Sequence, residues 1–230
     1  MLIANSGDDD PGRVGTALRE HGFSLHVLVR EDHDTWPDVV DASVVVSLGS
    51  SWSTYWPDVH DAVLAEQRLL AGVLESGRPV LGVCFGAQQL ATILGAGVER
   101  APLPEVGWHS VHPPRSESDT PLFLVEGPWL QWHFDRFTVP RGAALLAESD
   151  AGPQVFRWGR AVGVQFHPEA TESIVSQWSQ EEGEQELRAA GLDRDTLLAD
   201  TRALEADAHR RCDALVEWFL AVTAQPHLQG

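Results

Sequence analysis

Two short stretches carry residue types that together can break an amide. In Gly82-Val83-Cys84-Phe85-Gly86 a cysteine stands among glycines, and far downstream Phe166-His167-Pro168-Glu169 sets an imidazole two residues before a carboxylate. A thiol becomes an effective nucleophile when a base within hydrogen-bond reach takes its proton, and that base needs a third group to orient it. Cys84, His167 and Glu169 can fill those three roles. Pro168 restricts the backbone between the last two and helps to aim them. Taken alone, a cysteine in an intracellular chain is usually a small buried hydrophobe, and a histidine at a strand end usually a structural residue. Their occurrence together in one chain is what points to chemistry.

The surrounding pattern supplies elements to position them. The run Val80-Leu81-Gly82-Val83 reads as a buried strand, and Gln88, Leu90, Ala91, Ile93 and Leu94 follow at helical spacing. Cys84 therefore sits on the corner between strand and helix. Flanking glycines permit a tight turn, and the N-terminus of the following helix favours thiolate over thiol. This is the geometry of the Gly-x-Ser-x-Gly elbow, with sulfur in place of oxygen. Upstream, strands are expected at 1–6, 24–30 and 42–48, helices at about 11–20 and 59–75, and a loop at 31–37. That alternation predicts an α/β fold with an open, mostly parallel, flavodoxin-like sheet flanked by helices. Its site should lie beyond the carboxyl ends of the strands. The loop Gly49-Ser50-Ser51-Trp52-Ser53 falls at such an end and can face Cys84.

Beyond Gly95-Ala96-Gly97 the spacing changes to short strands at 98–100, 107–112, 129–134, 145–148, 154–158 and 161–166, read as antiparallel strands appended to the parallel sheet. A helix start follows at 171–178, then a strongly helical, charged stretch over 181–222. We read 1–180 as one domain and 181–230 as a C-terminal helical extension packed on it. The acidic cluster Glu181, Glu182, Glu184 and Glu186 reads as a solvated helical face.

Composition narrows the partners. A formal net charge of −18 argues against nucleic acid or an anionic membrane. No apolar run is long enough for a bilayer, and the first residues read as a strand and not as a leader, so a cytoplasmic protein is expected. The two cysteines, Cys84 and Cys212, have no metal-ligand spacing, and Cys212 falls in a helical stretch as a structural residue. Asp8-Asp9-Asp10 precedes Pro11 and reads as helix-start chemistry; no metal and no cofactor are assigned.

Gly-Val-Cys-Phe-Gly-Ala-Gln followed by Gly-Val-Gln-Phe-His-Pro-Glu resembles the class I (triad) glutamine amidotransferases, in the stand-alone branch similar to the amidotransferase domain of GMP synthase. The resemblance runs over 2–178. It includes Pro104-Glu105-Val106-Gly107-Trp108, similar to the branch's Glu-x-Gly-Trp segment, and Trp132-His133-Phe134-Asp135, where the family has His-Gly-Asp. It implies that Cys84 attacks the side-chain amide of glutamine to form a thioester, with His167 as base and Glu169 as its orienter. The N–H groups of Gly49 and Phe85 would form the oxyanion hole, and Gln88, His133 and Phe134 would contact substrate.

Two departures stand out. Leu48-Gly49-Ser50 replaces the common Gly-Gly-Pro loop, and Phe134 replaces the usual glycine. Trp52, Tyr55, Trp56 and Trp132 are expected near the mouth, packing the loops or forming an aromatic rim. The expected activity is a glutaminase that passes ammonia to a separate acceptor synthetase or amidating enzyme, since no Gly-rich phosphate loop with a lysine appears. The alternative is a γ-glutamyl hydrolase or peptidase acting on a γ-glutamyl compound with the same triad. A non-catalytic module on the same fold and an elbow-cysteine protein of the stress-response type fit less well, because base and orienter are both present.

Overall fold

A computed structural model describes residues 1–37, 41–115 and 119–224. Its elements in chain order are β1 (Leu2–Ala4), α1 (Gly12–Glu20), β2 (Val27–Val29), β3 (Val45–Ser47), α2 (His60–Glu75), β4 (Val80–Val83) and α3 (Phe85–Ile93). There follow β5 (Val98–Ser110), α4 (Leu122–Val125), β6 (Pro128–Phe137), β7 (Ala144–Ser149), β8 (Gly152–Trp158) and β9 (Ala161–Val164). Three helices complete the described chain: α5 (Glu172–Trp178), α6 (Glu182–Ala189) and α7 (Arg194–Ala224).

Seven strands form one sheet in the order β2-β1-β3-β4-β9-β8-β7. The first five run parallel, and β8 and β7 continue antiparallel from β9. β5 and β6 make a separate two-stranded antiparallel sheet. The fold is therefore the α/β arrangement expected from the sequence, a mostly parallel sheet with helices and added antiparallel strands.

Apart from the edge strand β2, whose Val27 is exposed, the parallel strands are short and buried on both faces, as their continuous apolar runs require. Side chains alternate between two cores. Leu2, Ala4, Val46, Val83 and Val164 pack with Val14 and Leu18 of α1. Ile3, Val45, Val80 and Ala161 point the other way, onto Leu70 of α2 and Leu90 of α3. This period-two alternation fixes the register in which Val80 to Val83 pair with Ala161 to Val164. It brings the corner after β4 beside the segment after β9.

Several boundaries differ from the sequence reading, each for a local reason. The strands expected at 98–100 and 107–112 are one strand, β5, whose pairing with β6 shifts register between Arg100 and Glu105. The loop expected at 31–37 contains a 3-10 turn over Arg30–Thr35. Leu122–Val125 forms a single helical turn after Pro121. The helical stretch expected over 181–222 is two helices. Gly191 has a φ of 76°, and the N–H groups of Gly191 and Leu192 close back on the carbonyls of Arg188 and Leu187 at 3.1 and 2.9 Å. That pattern stops α6 at its C-terminus. Asp193 then accepts from the Thr196 N–H at 2.9 Å and starts α7.

α7 belongs to the main core. Cys212, Leu215, Val216 and Phe219 are fully buried with the sheet residues named above. Burial, with Asp213 nearby, pushes the Cys212 thiol well above its ordinary value, in keeping with a structural cysteine. Among the described residues no helix is long and apolar enough to cross a membrane. Because Phe219 closes the same core as Val46 and Val83, Phe219→Ala should cost about 3–5 kcal/mol. Chemical denaturation should show one transition shifted as a whole. A separate early transition, leaving the sheet's stability unchanged, would mean that α7 is an independent unit.

Candidate active site

Cys84 occupies a backbone conformation that non-glycine residues rarely adopt, with φ 50° and ψ −105°. Two hydrogen bonds hold it there: its N–H donates to the Val164 carbonyl at 2.7 Å, and its carbonyl accepts from the Gln88 N–H at 3.0 Å. The first ties the corner to β9 and the second begins α3. Close packing makes the flanking glycines obligatory. A Cβ on Gly86 would lie 2.1 Å from the Ser47 carbonyl oxygen, and one on Gly82 would lie 2.5 Å from Gly86.

His167 enters on the neighbouring strand end. Its N–H donates to the Leu130 carbonyl at 2.8 Å, and the preceding Phe166 stacks on Trp129 with ring centroids 4.3 Å apart. β6 therefore braces the segment that leaves β9. The imidazole Nδ1 meets Glu169 Oε1 at 2.7 Å, both side chains being buried. The Glu169 carbonyl accepts from the Arg13 N–H at 3.0 Å, so the start of α1 fixes its backbone. The edge of Trp178 packs on the imidazole at 4.7 Å between centroids.

With Nδ1–H committed to the carboxylate, Nε2 is the nitrogen left to exchange a proton with the thiol. It is buried and has no hydrogen-bond partner among the described residues, as is true of Glu169 Oε2. Burial disfavours a charge on the ring, but Glu169 and then Cys84 outweigh it, and His167 is held well above 6.5. The arrangement favours the protonated ring.

Gly49 lies directly across from this pair. A Cβ there would come within 2.8 Å of His167 Cε1 and 3.7 Å of the Cys84 Cβ. The Gly49 N–H has no acceptor among the described residues. Phe85 opens α3, so its N–H has no carbonyl one turn back within the helix. Gly49 and Phe85 thus bring two backbone donors close to Cys84, a pattern that can stabilise an oxyanion.

Beneath the Gly49 loop lies a buried cation that sequence reasoning did not mark. Arg30 is fully buried and pairs with the equally buried Glu66 at 2.8 Å. It also donates to the carbonyls of Leu48 at 2.7 Å and Gly49 at 2.8 Å, and to Asn5 Oδ1 at 2.8 Å. Ser47 donates its hydroxyl to Glu66. Removing either charge from such a pair typically costs ~3–5 kcal/mol.

A cavity of about 600 Å³ opens over Cys84 and is walled by Trp52, Trp56, Trp132, Phe134, Trp178 and Glu186 among others. Gln88, His133 and Phe134, the positions that the sequence reading gave to substrate, all line it. Gln88 Nε2 donates weakly to the Asp135 carbonyl at 3.4 Å and to Gln165 Oε1 at 3.5 Å. His133 turns its ring toward Glu105, with Nε2 3.1 Å from Oε2 and Nδ1 3.1 Å from the Asp135 carbonyl. Its side chain is a brace for the segment. The Phe134 ring lies under the Arg100 guanidinium at 4.8 Å. Tyr55 sits outside the wall, half-exposed, with its hydroxyl donating to Asp135 at 2.8 Å.

Two further residues at the site were not singled out by sequence. Gln165 Nε2 lies 3.6 Å from Cys84 Sγ. Its signal was legible, because residues two apart on an extended chain share a face and Gln165 stands two before His167. Trp178, which donates to Asp8 at 2.7 Å, reaches the site through the return of α5, and no local pattern announces that. Asp10 accepts from the Gly12 N–H at 2.9 Å as a helix-start residue. Among the described residues no group of three His, Cys, Asp or Glu side chains could hold a metal.

If Glu169 is what raises His167, Glu169→Gln lowers the pH at which the ring loses its proton. An NMR titration of the imidazole should shift acidward. The paired charge also stabilises the fold below pH ~6.5, and that contribution fades as pH rises through the folded value. A titration that stays put or moves alkaline contradicts the pairing.

The described geometry has counterparts in known proteins. A model of the family described as glutamine amidotransferase class-I matches residues 18–177. GMP synthase [glutamine-hydrolyzing] of Aeropyrum pernix is 31% identical over 177 residues, covering 74% of this chain and 32% of that protein. The chain thus spans about a third of the length of that relative. A crystal structure of a glutamine amidotransferase from Thermotoga maritima superposes with a TM-score of 0.84 at 28% identity, covering 95% of this chain and 96% of the other. One from Methylobacillus flagellatus shares the fold at a TM-score of 0.83 and 22% identity, covering 100% and 97%. With most of its length matched by the family model, this chain belongs to the class-I glutamine amidotransferases, GMP synthase amidotransferase-like in its sequence.

Proposed function

We propose that the chain hydrolyses the side-chain amide of glutamine through a Cys84 thioester and passes the ammonia to a separate acceptor enzyme. The observation that carries this reading is the buried His167–Glu169 pair beside Cys84, with Gly49 lying against both His167 and Cys84. The Cys84 thiol gives its proton to His167 Nε2, and sulfur attacks the amide carbon. The N–H groups of Gly49 and Phe85 stabilise the oxyanion that forms. His167 then protonates the departing nitrogen, and ammonia leaves a glutamyl thioester. Water, activated by the same imidazole, attacks the thioester and releases glutamate, restoring the thiol. Loss of one oxyanion donor in such a site typically costs about 10²–10³ in rate, which gives the Gly49 loop a weight comparable to that of the triad.

A separate acceptor is proposed because the sequence has no Gly-rich phosphate loop with a lysine, and because the relative named GMP synthase extends well beyond the matched region. The acceptor supplies the amidated product; this chain supplies nitrogen.

One observation favours a second reading, hydrolysis of a larger γ-glutamyl amide or peptide. The cavity over Cys84 measures about 600 Å³ and carries four tryptophans and Phe134 on its wall. That size lies in the range of sites for drug-sized ligands, roughly 300–1,000 Å³.

Ammonia release from glutamine, measured alongside turnover of a panel of γ-glutamyl amines, separates the two. We expect glutamine to be turned over, with Cys84→Ala and His167→Ala each reducing the rate by about 10⁴ or more. Faster cleavage of a γ-glutamyl amine than of glutamine transfers the assignment to the hydrolase. No turnover of any γ-carboxamide, alone or with candidate synthetases, rejects both.

A further inference from the structure

Beyond the triad, we infer that Arg30 is a positioning residue that holds the oxyanion hole ready-made, an inference that rests on the hydrolytic reading above. Its guanidinium donates to two successive carbonyls of the loop, those of Leu48 at 2.7 Å and Gly49 at 2.8 Å. In a trans peptide the N–H points opposite to the C=O. Pulling the Leu48 carbonyl down onto Arg30 therefore turns the Gly49 N–H away from the buried cation. The Cα of Gly49 faces His167 and Cys84, since a Cβ built on it would meet both. Flipping this peptide would take a carbonyl off a buried cation and break a charge-assisted hydrogen bond.

The same guanidinium serves the other half of the hole. Its Cζ lies 4.8 Å from the centroid of the Phe85 ring, so the residue contributing the second N–H rests on Arg30. Glu66 holds the guanidinium from below through Nε at 2.8 Å, and Asn5 takes a further donor at 2.8 Å. Three strand ends and α2 are thereby joined at one cation. In the related loop sequence Gly-Gly-Pro a proline ring restricts the backbone; here Leu48-Gly49-Ser50 has none, and the ion pair provides the constraint.

Arg30→Lys tests this, because an ammonium keeps a charge for Glu66 but has too few and too differently placed donors to hold both carbonyls as well. Iodoacetamide alkylation of Cys84 reports the nucleophile and its base independently of the hole. For Arg30→Lys we expect an alkylation rate within about threefold of wild type. Over the same interval kcat falls by about 10²–10³ with little change in KM. Should Arg30→Lys fail to fold, the doubly neutral Arg30→Met/Glu66→Met variant removes the clamp without stranding a charge and should give the same split. A kcat within threefold of wild type in a folded variant overturns the inference. So does a parallel loss of alkylation and turnover, which would place the effect on the nucleophile. A wild-type protein that alkylates normally yet hydrolyses no γ-carboxamide removes the underlying reading instead, and is distinguished by the wild-type assay alone.

Discussion

The constraint on which the site depends is the backbone of Cys84. A non-glycine residue at φ 50° stores on the order of 1–3 kcal/mol of strain, and it persists only because the sheet determines it from several sides. β4 delivers the chain to the corner, the Val164 carbonyl takes its N–H, and α3 must begin at once. Ser47 leaves no room for a side chain at Gly86. The sulfur is thereby presented at the carboxyl end of the sheet, where β3 contributes Gly49 and the chain beyond β9 contributes His167. Parallel pairing of β3, β4 and β9 is thus a chemical requirement as much as a structural one.

Two buried polar clusters surround this corner and do different work. The Arg30–Glu66 cluster lies under the Gly49 loop and holds the Leu48 and Gly49 carbonyls. The Glu105 cluster lies under the His133–Asp135 segment, where Glu105 also accepts from Gln154 at 2.8 Å and Ser149 at 3.0 Å. Burying charges is costly unless every partner is present, so each cluster holds its loop in one arrangement. The wall of the cavity, by contrast, draws its side chains from the loop after β3, from β6, and from α5 and α6. Such surfaces change without disturbing the framework, so the same fold can carry either of the two substrate readings.

Much of this was legible in the sequence where the information is local. The elbow was readable because a short apolar run ends at Cys84 and helical spacing begins directly after it. Glu169 was readable as the orienter of His167 because the two are separated by one proline. The continuous apolar run Val44 to Val46, with strands and helices alternating along the chain, predicted a parallel sheet covered on both faces. What stayed hidden is what the tertiary fold creates. Arg30 looks like a surface residue at the start of an acidic turn, and only α2 crossing back with Glu66 makes it a buried cation. Trp178 is an ordinary helical aromatic until α5 returns over the site. The break between α6 and α7 was signalled by Gly191 and Asp193, but the strong helical composition on both sides masked it.

The claim at the centre is that Cys84 forms a covalent glutamyl thioester. Rapid acid quench of the protein mixed with glutamine, followed by intact-mass spectrometry and peptide mapping, measures this directly. The account predicts a glutamyl adduct on the peptide containing Cys84, present in wild type, absent in Cys84→Ala, and discharged by hydroxylamine as a thioester should be. An unmodified Cys84 during steady ammonia release, or an adduct at any other residue, would contradict it.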